Sequence, residues 1–490
     1  MPFRDLREFL NKLEKEGQLV RLTRELESGY EVSALAWELQ ERWGPAVMFN
    51  LKGYDTPMVI QVHGTLQRNA MALGLEPRPT FKETFIQVRN HVAQKLENKS
   101  EWLKPKLVRD APCQEVVLTG REVNLYKLPV VKWSPLDGGP YITFTNVITR
   151  DPGEPSHGLN TGTYRVMLHD ERTTGIMCCA TQDIGIHIGR ARQRGLNKIP
   201  VAVVVGVEPV VNIVSTTKMG SFMEDEFEFA GALRGEPVEL VPCKTVDLVA
   251  PATAELVLEG ELDIDPEHAR WEGPYGEFMG YYEAPMREPV FHVTAITHRR
   301  EYIYQNIVLG HPNNESEIIR MPVIQANNYN YLRLTVNGFR DTYAPHRSRG
   351  YLHVVQIKKR FPGWGKQAVL ATLGAGQVMA AANWVVVVDE DIDIYDMEQV
   401  AFAISTRMDP SRDIVLIPQV GVYPLNPAAS DRKESPETGY TEFSFIGKMG
   451  IDATLKTALE VQRQPAIPVT PDPEAHKKIL GLWAELGLPA

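Results

Sequence analysis

Two carboxylates five residues apart, Glu272 and Glu277, bracket a Gly-Pro-aromatic-Gly segment within residues 271–278. Proline fixes one backbone angle and glycine permits positive φ, so this stretch reads as a rigid bend, not a helix. Such a bend can aim both glutamates at one point. Close carboxylates repel, which raises at least one pKa and suits that group to carry a proton near neutral pH. The plainer alternative is a solvated pair in a surface turn. Upstream, residues 159–166 alternate Thr161, Thr163 and Arg165, a strand with a polar face. Residues 215–220 form a hydroxyl-rich turn after an apolar strand expected at 210–214. Residues 224–232 are an acidic run opening an apolar one.

Taken in order, these segments resemble one family. Asn-x4-Arg at 160–165, Ser-Thr-Thr-Lys-Met at 215–219, Glu-x3-Ala-Gly-Ala-Leu-Arg-Gly at 226–235 and Glu-Gly-Pro-Tyr-Gly-Glu at 272–277 are similar to the UbiD-type (de)carboxylases. The likeness extends through residues 237–241, 256–261, 388–393 and 405–410, so it covers nearly the whole chain. It implies reversible, non-oxidative decarboxylation of an aromatic, heteroaromatic or α,β-unsaturated carboxylic acid through a covalent adduct with prenylated FMN (prFMN). A flavin prenyltransferase would supply that cofactor, and carbon dioxide would be the second product. The resemblance makes Arg165, Glu272 and Glu277 the catalytic set. Arg165 would pair with Glu272 and hold the substrate carboxylate, and Glu277 would deliver the proton. The alternatives are a carboxylase subunit of a larger complex and a non-catalytic flavin-binding or assembly protein.

The same resemblance implies a divalent cation, Mn²⁺ or Mg²⁺ with K⁺ nearby, on the flavin phosphate. Asn160 and Glu226 match two of its ligands, but Asp183 stands where the family has a histidine. Asp183 is a suitable hard oxygen ligand, or else the N-cap of a helix over 184–192. His187, four residues on, reads as an ordinary helix residue. Expected flavin contacts are Asn160, Gly162, Thr163, Tyr164, Arg165, Gln182, Ser215, Thr216, Lys218, Met219, Glu226 and Lys448.

The elements that must position these groups fall into three parts. Residues 1–110 hold an amphipathic helix on Phe3, Leu6, Leu10 and Leu13, helices over 32–42 and 82–95, and a strand at 58–62. Residues 111–310 are rich in strands (115–118, 142–149, 175–179, 201–207 and 253–261) with one helix over 184–195, which suggests a partly closed barrel. The family analogue is a split β-barrel of the flavin-reductase type. Residues 311–490 read as an α/β domain: a helix over 367–383, a strand at 384–389, a helix from Asp396 to Arg407 and a strand at 413–418, an order implying a parallel sheet. In relatives such a domain drives dimerisation and a last helix, here 473–486, reaches the partner, so a homodimer or higher homo-oligomer is expected. The overall class is thus α+β and α/β, multidomain.

Composition bounds the function further. The chain has 490 residues and a net charge of −10, which argues against nucleic acid as a general partner. No apolar run reaches the length of a membrane span, residues 1–17 are charged throughout, and a cytoplasmic enzyme is expected. Four cysteines show no paired metal-ligand spacing. Acidic residues 389, 390, 391 and 393 read as loop and cap residues. Candidates for the substrate wall are Phe278, Met279, Tyr281, Tyr282, His311, Asn313 and Asn314.

Overall fold

In the computed structural model, all residues are described except 1–2, 155–156, 217–223, 376–381, 423–424, 430–432, 435–437, 462–465, 484 and 487–490. Lys218 and Met219 lie outside the described residues.

The N-terminal part is a small sheet of Leu19–Arg21, Ala46–Asn50, Pro57–Ile60 and, from far along the chain, Tyr304–Gln305. Helix Leu6–Lys15 buries Leu6, Phe9, Leu10 and Leu13, the stripe expected from their spacing. Helix Phe81–Glu97 starts with a capping box between Thr80 and Glu83, which satisfies two orphan backbone donors.

The centre is a curled, nine-stranded sheet in which every pairing is antiparallel. Along its main path run Tyr141–Ile142, Val166–Leu168, Thr173–Ile176, Val290–His298, Leu256–Asp263, Lys198–Val205, Asn146–Arg150 and Leu159–Gly162, with Val116–Thr119 on Val290–His298. A bulge between Glu259 and Gly260 bends the two long strands. Gly260 is required there, because a Cβ would lie 2.0 Å from the His292 carbonyl oxygen. The curl makes a half-barrel with one edge at Leu159–Gly162, where the sequence places Asn160.

Two expectations fail here. Residues 159–166 are not one strand: Leu159–Gly162 and Val166–Leu168 pair with different neighbours, and Thr163 and Arg165 lie in the link between them. Residues 210–214 are not a strand but part of helix Pro209–Ser215. Pro209 occupies the first turn, where its missing N–H costs nothing, and every residue of the helix is buried. A fully buried β-branched run shows no helical periodicity to read.

The C-terminal sheet runs Phe339–Tyr343, Leu352–Ile357, Trp384–Asp389, Thr441–Asp452, Ile414–Val422. It is mixed, not parallel throughout: the middle three strands are parallel, and Ile414–Val422 lies antiparallel on Thr441–Asp452. The later strand takes the slot that the βαβ reading gave to 413–418. Helix Trp364–Leu373 replaces the front of the 367–383 helix, of which 376–381 lie outside the described residues. Helix Glu315–Thr335 links this domain to the rest, its entry capped by the Asn314 side chain on the Glu317 N–H at 3.0 Å. Asp389 and Asp391 pair with Arg407, and Glu390 with Arg340 and Lys358, as loop residues do. Among the described residues no helix is long and apolar enough to cross a membrane.

Candidate functional site

A cavity of about 820 Å³ opens between the central half-barrel and the C-terminal sheet. Asn160, Gly162, Thr163, Tyr164, Arg165, Gln182, Asp183, Ser215, Thr216, Glu226, Glu277 and Lys448 all line it, although they are spread over nearly three hundred positions. Glu272 stands behind Arg165, fully buried.

The bend forms as the residue types require. Gly273 sits at φ +94°, beside a cis Gly273–Pro274 bond. Gly138 packs so closely that a Cβ would lie 2.0 Å from the Gly273 carbonyl oxygen. Asp137 accepts the Gly276 N–H at 3.0 Å and so pins the far side of the bend. Two nested hairpins result: Arg270–Glu272 pairs with Met286–Glu288, and inside it Tyr275–Gly276 pairs with Tyr282–Glu283.

Arg165 is the hub. Its Nε and Nη2 donate to the two oxygens of Glu272 at 2.9 and 2.7 Å, a bidentate pair. Nη1 donates to Glu277 at 2.8 Å and also to Glu283. The Tyr275 ring lies under the guanidinium at 5.0 Å. Burial opposes charge on Arg165, but Glu272, Glu283 and Glu277 together hold its pKa well above the ordinary value, so it stays cationic. Glu277 is pushed up, first by burial and then by Glu283, with Arg165 opposing. Glu288, buried beside Glu272, is pushed well above the carboxylate range by burial and by that neighbour. The site therefore has a permanent cation and two carboxyls, Glu277 and Glu288, whose proton affinity is raised.

Along the wall, Asn160, Asp183 and Glu226 face the same cavity. Glu226 opens helix Glu226–Arg234 and accepts the Thr161 N–H at 3.1 Å, and burial with Asp183 nearby drives its pKa well upward. Asp183 is the first residue of helix Asp183–Gln193, whose N-cap is Gln182. Asn160 donates from Nδ2 to the Thr149 hydroxyl at 3.0 Å. Thr149 in turn bonds His187 Nδ1 at 2.9 Å, so His187 lies behind Asn160 and not in the cavity lining. Among the described residues no cluster of three His, Cys, Asp or Glu side chains is placed to hold a metal. A cation here would need the Asn160 amide as its third donor.

The residues expected to contact a flavin are held by bonds among themselves. Thr163 N–H donates to the Ser215 carbonyl at 2.8 Å, and the two hydroxyls meet at 3.1 Å. Gly162 must lack a side chain, since a Cβ would lie 2.4 Å from the Tyr164 ring. Gln182 Oε1 accepts the Cys179 N–H at 3.0 Å. Lys448 enters from the opposite, C-terminal wall near His353, and burial lowers its pKa.

The substrate-wall candidates divide. Phe278 and Met279 line the cavity. Tyr281 and Tyr282 point outward, 63% and 42% exposed. His311 is packed edge-on against Trp37 at 4.6 Å and bonds Glu41 at 3.0 Å, outside the lining. Asn313 bonds Arg347 at 2.9 Å and Asn314 caps the helix, so both serve the loop's own structure. The wall instead gains Arg320, Asn328, Tyr351 and His353. Arg320 stacks over Phe278 at 4.6 Å and Tyr351 reaches Met279 sulfur at 3.8 Å. Nothing in sequence spacing marks them. Glu283 and Glu288 carried a fainter signal, a continued spacing of five or six residues after Glu277.

Comparison with known proteins agrees with this architecture. Residues 106–312 match the 3-octaprenyl-4-hydroxybenzoate carboxy-lyase Rift-related domain, 318–453 the C-terminal domain and 10–85 the N-terminal domain of the same group. An uncharacterised protein of Archaeoglobus fulgidus is 35% identical over 510 residues, covering 99% of both chains. The closed form of the vanillic acid decarboxylase ShVdcCD of Sedimentibacter hydroxybenzoicus is 30% identical, with a TM-score of 0.85, over 99% of this chain and 100% of the other. HmfF of Pelotomaculum thermopropionicum, a UbiD-class enzyme in complex with FMN, is 29% identical with a TM-score of 0.79, over 96% and 98% of the two chains. With all three domains matched and the cavity walled by two of them, this chain belongs to the UbiD family of prenylated-FMN-dependent decarboxylases.

Proposed function

We propose that this protein is a reversible, non-oxidative decarboxylase of an aromatic, heteroaromatic or α,β-unsaturated carboxylic acid that works with prFMN and a divalent cation. The observation that carries this reading is the buried Arg165, bonded to Glu272 and Glu277 at the edge of a cavity large enough for a flavin and a flat acid.

The residues fit both groups. Two carboxylates and an amide oxygen suit a hard Mg²⁺ or Mn²⁺ ion, and a cation would relieve the strain that Asp183 imposes on Glu226. Asn160, Asp183 and Glu226 would hold it, and Thr163, Ser215, Thr216 and Gln182 offer polar atoms along the same wall. Bound prFMN supplies an electrophilic centre that accepts the electron pair left by carbon dioxide. The protein does the rest. Arg165, fixed by Glu272, presents a guanidinium edge that orients the substrate carboxylate. Glu277 keeps a proton and gives it to the carbon that has lost carbon dioxide. Phe278, Met279, Ile307 and Leu309 exclude water from that carbon and offer a flat, apolar face. Reversing the proton transfer serves carboxylation.

A second reading is a catalytic subunit that needs a partner, favoured by the vanillic acid decarboxylase relative, whose structures include a ShVdcD component. One experiment addresses both. The protein is co-produced with a flavin prenyltransferase, and its released cofactor is weighed by mass spectrometry. prFMN, followed by carbon dioxide release from a panel of unsaturated acids, supports the decarboxylase. prFMN without turnover points to a missing partner, and no flavin despite a folded protein removes the reading.

A further inference from the structure

Three glutamates on the two nested hairpins, Glu272, Glu277 and Glu283, bond the guanidinium of Arg165, and a fourth, Glu288, is buried beside Glu272. Among the described residues Arg165 is the one cation bonded to these buried carboxylates, an arrangement that favours a proton held within the cluster. The geometry divides the four. Glu272 takes the Nε–Nη2 edge bidentately and Glu288 lies beyond it, its Oε2 accepting the Cys178 N–H at 3.2 Å. Glu277 and Glu283 share one nitrogen, Nη1. Only Glu277 lines the cavity; Glu283 sits behind, 5% exposed.

We propose that Glu283 is a positioning residue for the acid step: as the carboxylate that holds Arg165 Nη1 from behind, it leaves Glu277 as the member of the pair that carries the transferable proton. Arg165, Glu277 and Glu288 face Glu283. Tyr275 and Tyr351 face Glu277, with Asp137 beyond Tyr275 and Arg320 beyond Tyr351. Of these, only Glu283 shares the Arg165 nitrogen with Glu277. In turnover the Glu277 O–H bond breaks, the electron pair released by C–C cleavage forms the new C–H bond, and Glu277 is left as a carboxylate. Solvent then returns the proton, and the charge on Glu283 favours that return.

Its use in turnover rests on the decarboxylase reading, but the position of the proton is measurable without turnover. The full-length protein as purified is titrated by difference infrared spectroscopy in wild-type, Glu277→Gln, Glu283→Gln and Glu283→Asp forms. A carboxylic-acid C=O band should vanish in Glu277→Gln and persist in Glu283→Gln. In Glu283→Gln its midpoint should fall by about one pH unit or more, because a neighbouring negative charge is gone. Glu283→Asp, which keeps the charge, should restore the wild-type midpoint. Should Glu283→Gln not fold, Glu283→Ser removes the same charge with less bulk. A band that survives Glu277→Gln and disappears in Glu283→Gln places the proton on the wrong residue and overturns the assignment, as does an unmoved midpoint. In the prFMN-loaded enzyme the alkaline limb of turnover should move to lower pH in Glu283→Gln. The expected infrared pattern in a folded protein that takes up no flavin would remove the decarboxylase reading and leave the proton assignment standing.

Discussion

Two acidic clusters reach the same cavity, one through Glu277 and the other through Asp183 and Glu226, and solve the same electrostatic problem differently. Around Arg165 the carboxylates have a cation from the chain itself, bonded through Nε, Nη1 and Nη2. Along the other wall, Glu226 faces Asp183 and receives a backbone N–H, and burial drives its pKa upward. A permanent guanidinium cannot leave, so the first cluster can only redistribute protons. In the second, burial and the nearby Asp183 both disfavour charge on Glu226. On the proposed function, the first would move a proton and the second would take an ion.

The comparison breaks most severely at Arg165. Arg165→Met should strand buried carboxylates without their cation, costing about 3–5 kcal/mol of stability at neutral pH. Thermal unfolding should show it, and turnover should be abolished with it; a near-normal melting temperature would mean that the cluster is already neutral.

Glu277→Gln is gentler and more specific. Fold and flavin content should survive while turnover falls about 10²–10⁴-fold, the range for losing a general acid. Absorbance spectra and carbon dioxide release together test this, and wild-type turnover would exclude Glu277 as the acid.

At the second cluster the sign of the pH dependence is informative. The folded-state pKa of Glu226 lies above its ordinary 4.5, so the folded protein binds that proton more tightly than the unfolded chain. Stability from this group is present below about pH 4.5 and is lost as pH rises through the folded value. Metal-stripped protein should therefore lose melting temperature as pH rises, and Mn²⁺ should restore it at pH 8. Glu226→Gln should flatten the pH dependence and cut Mn²⁺ binding, read by calorimetry.

The smallest effect belongs to His187. His187→Phe removes the bond to Thr149 that backs Asn160 and should weaken Mn²⁺ binding by about tenfold, the low end for partners that orient a ligand. Unchanged affinity would make His187 a packing residue only.

Much of this was legible because some chemistry depends on residue type and short spacing. Glycine, proline and two glutamates define a bend wherever they occur, and Gly273 at φ +94° realises it. The apolar stripe of helix Leu6–Lys15 is a local rule of the same kind. Residues 210–214 misled because burial on every side erases the periodicity that separates helix from strand. His311, Asn313 and Asn314 misled because polar groups near a catalytic bend in sequence were needed to cap a helix and hold a loop.

The sequence by itself determined which groups could do chemistry: an arginine next to a strand, two glutamates on a rigid bend, an amide and two carboxylates at element starts. Tertiary structure alone decided how many charges share a site. Hairpin register brings Glu283 to Arg165 and Glu288 to Glu272, and Lys448, Arg320 and Tyr351 reach the cavity from a domain packed across it. Residue type and spacing act within a few positions, whereas charge balance in a buried cluster is set by everything brought within a few ångströms, however distant along the chain.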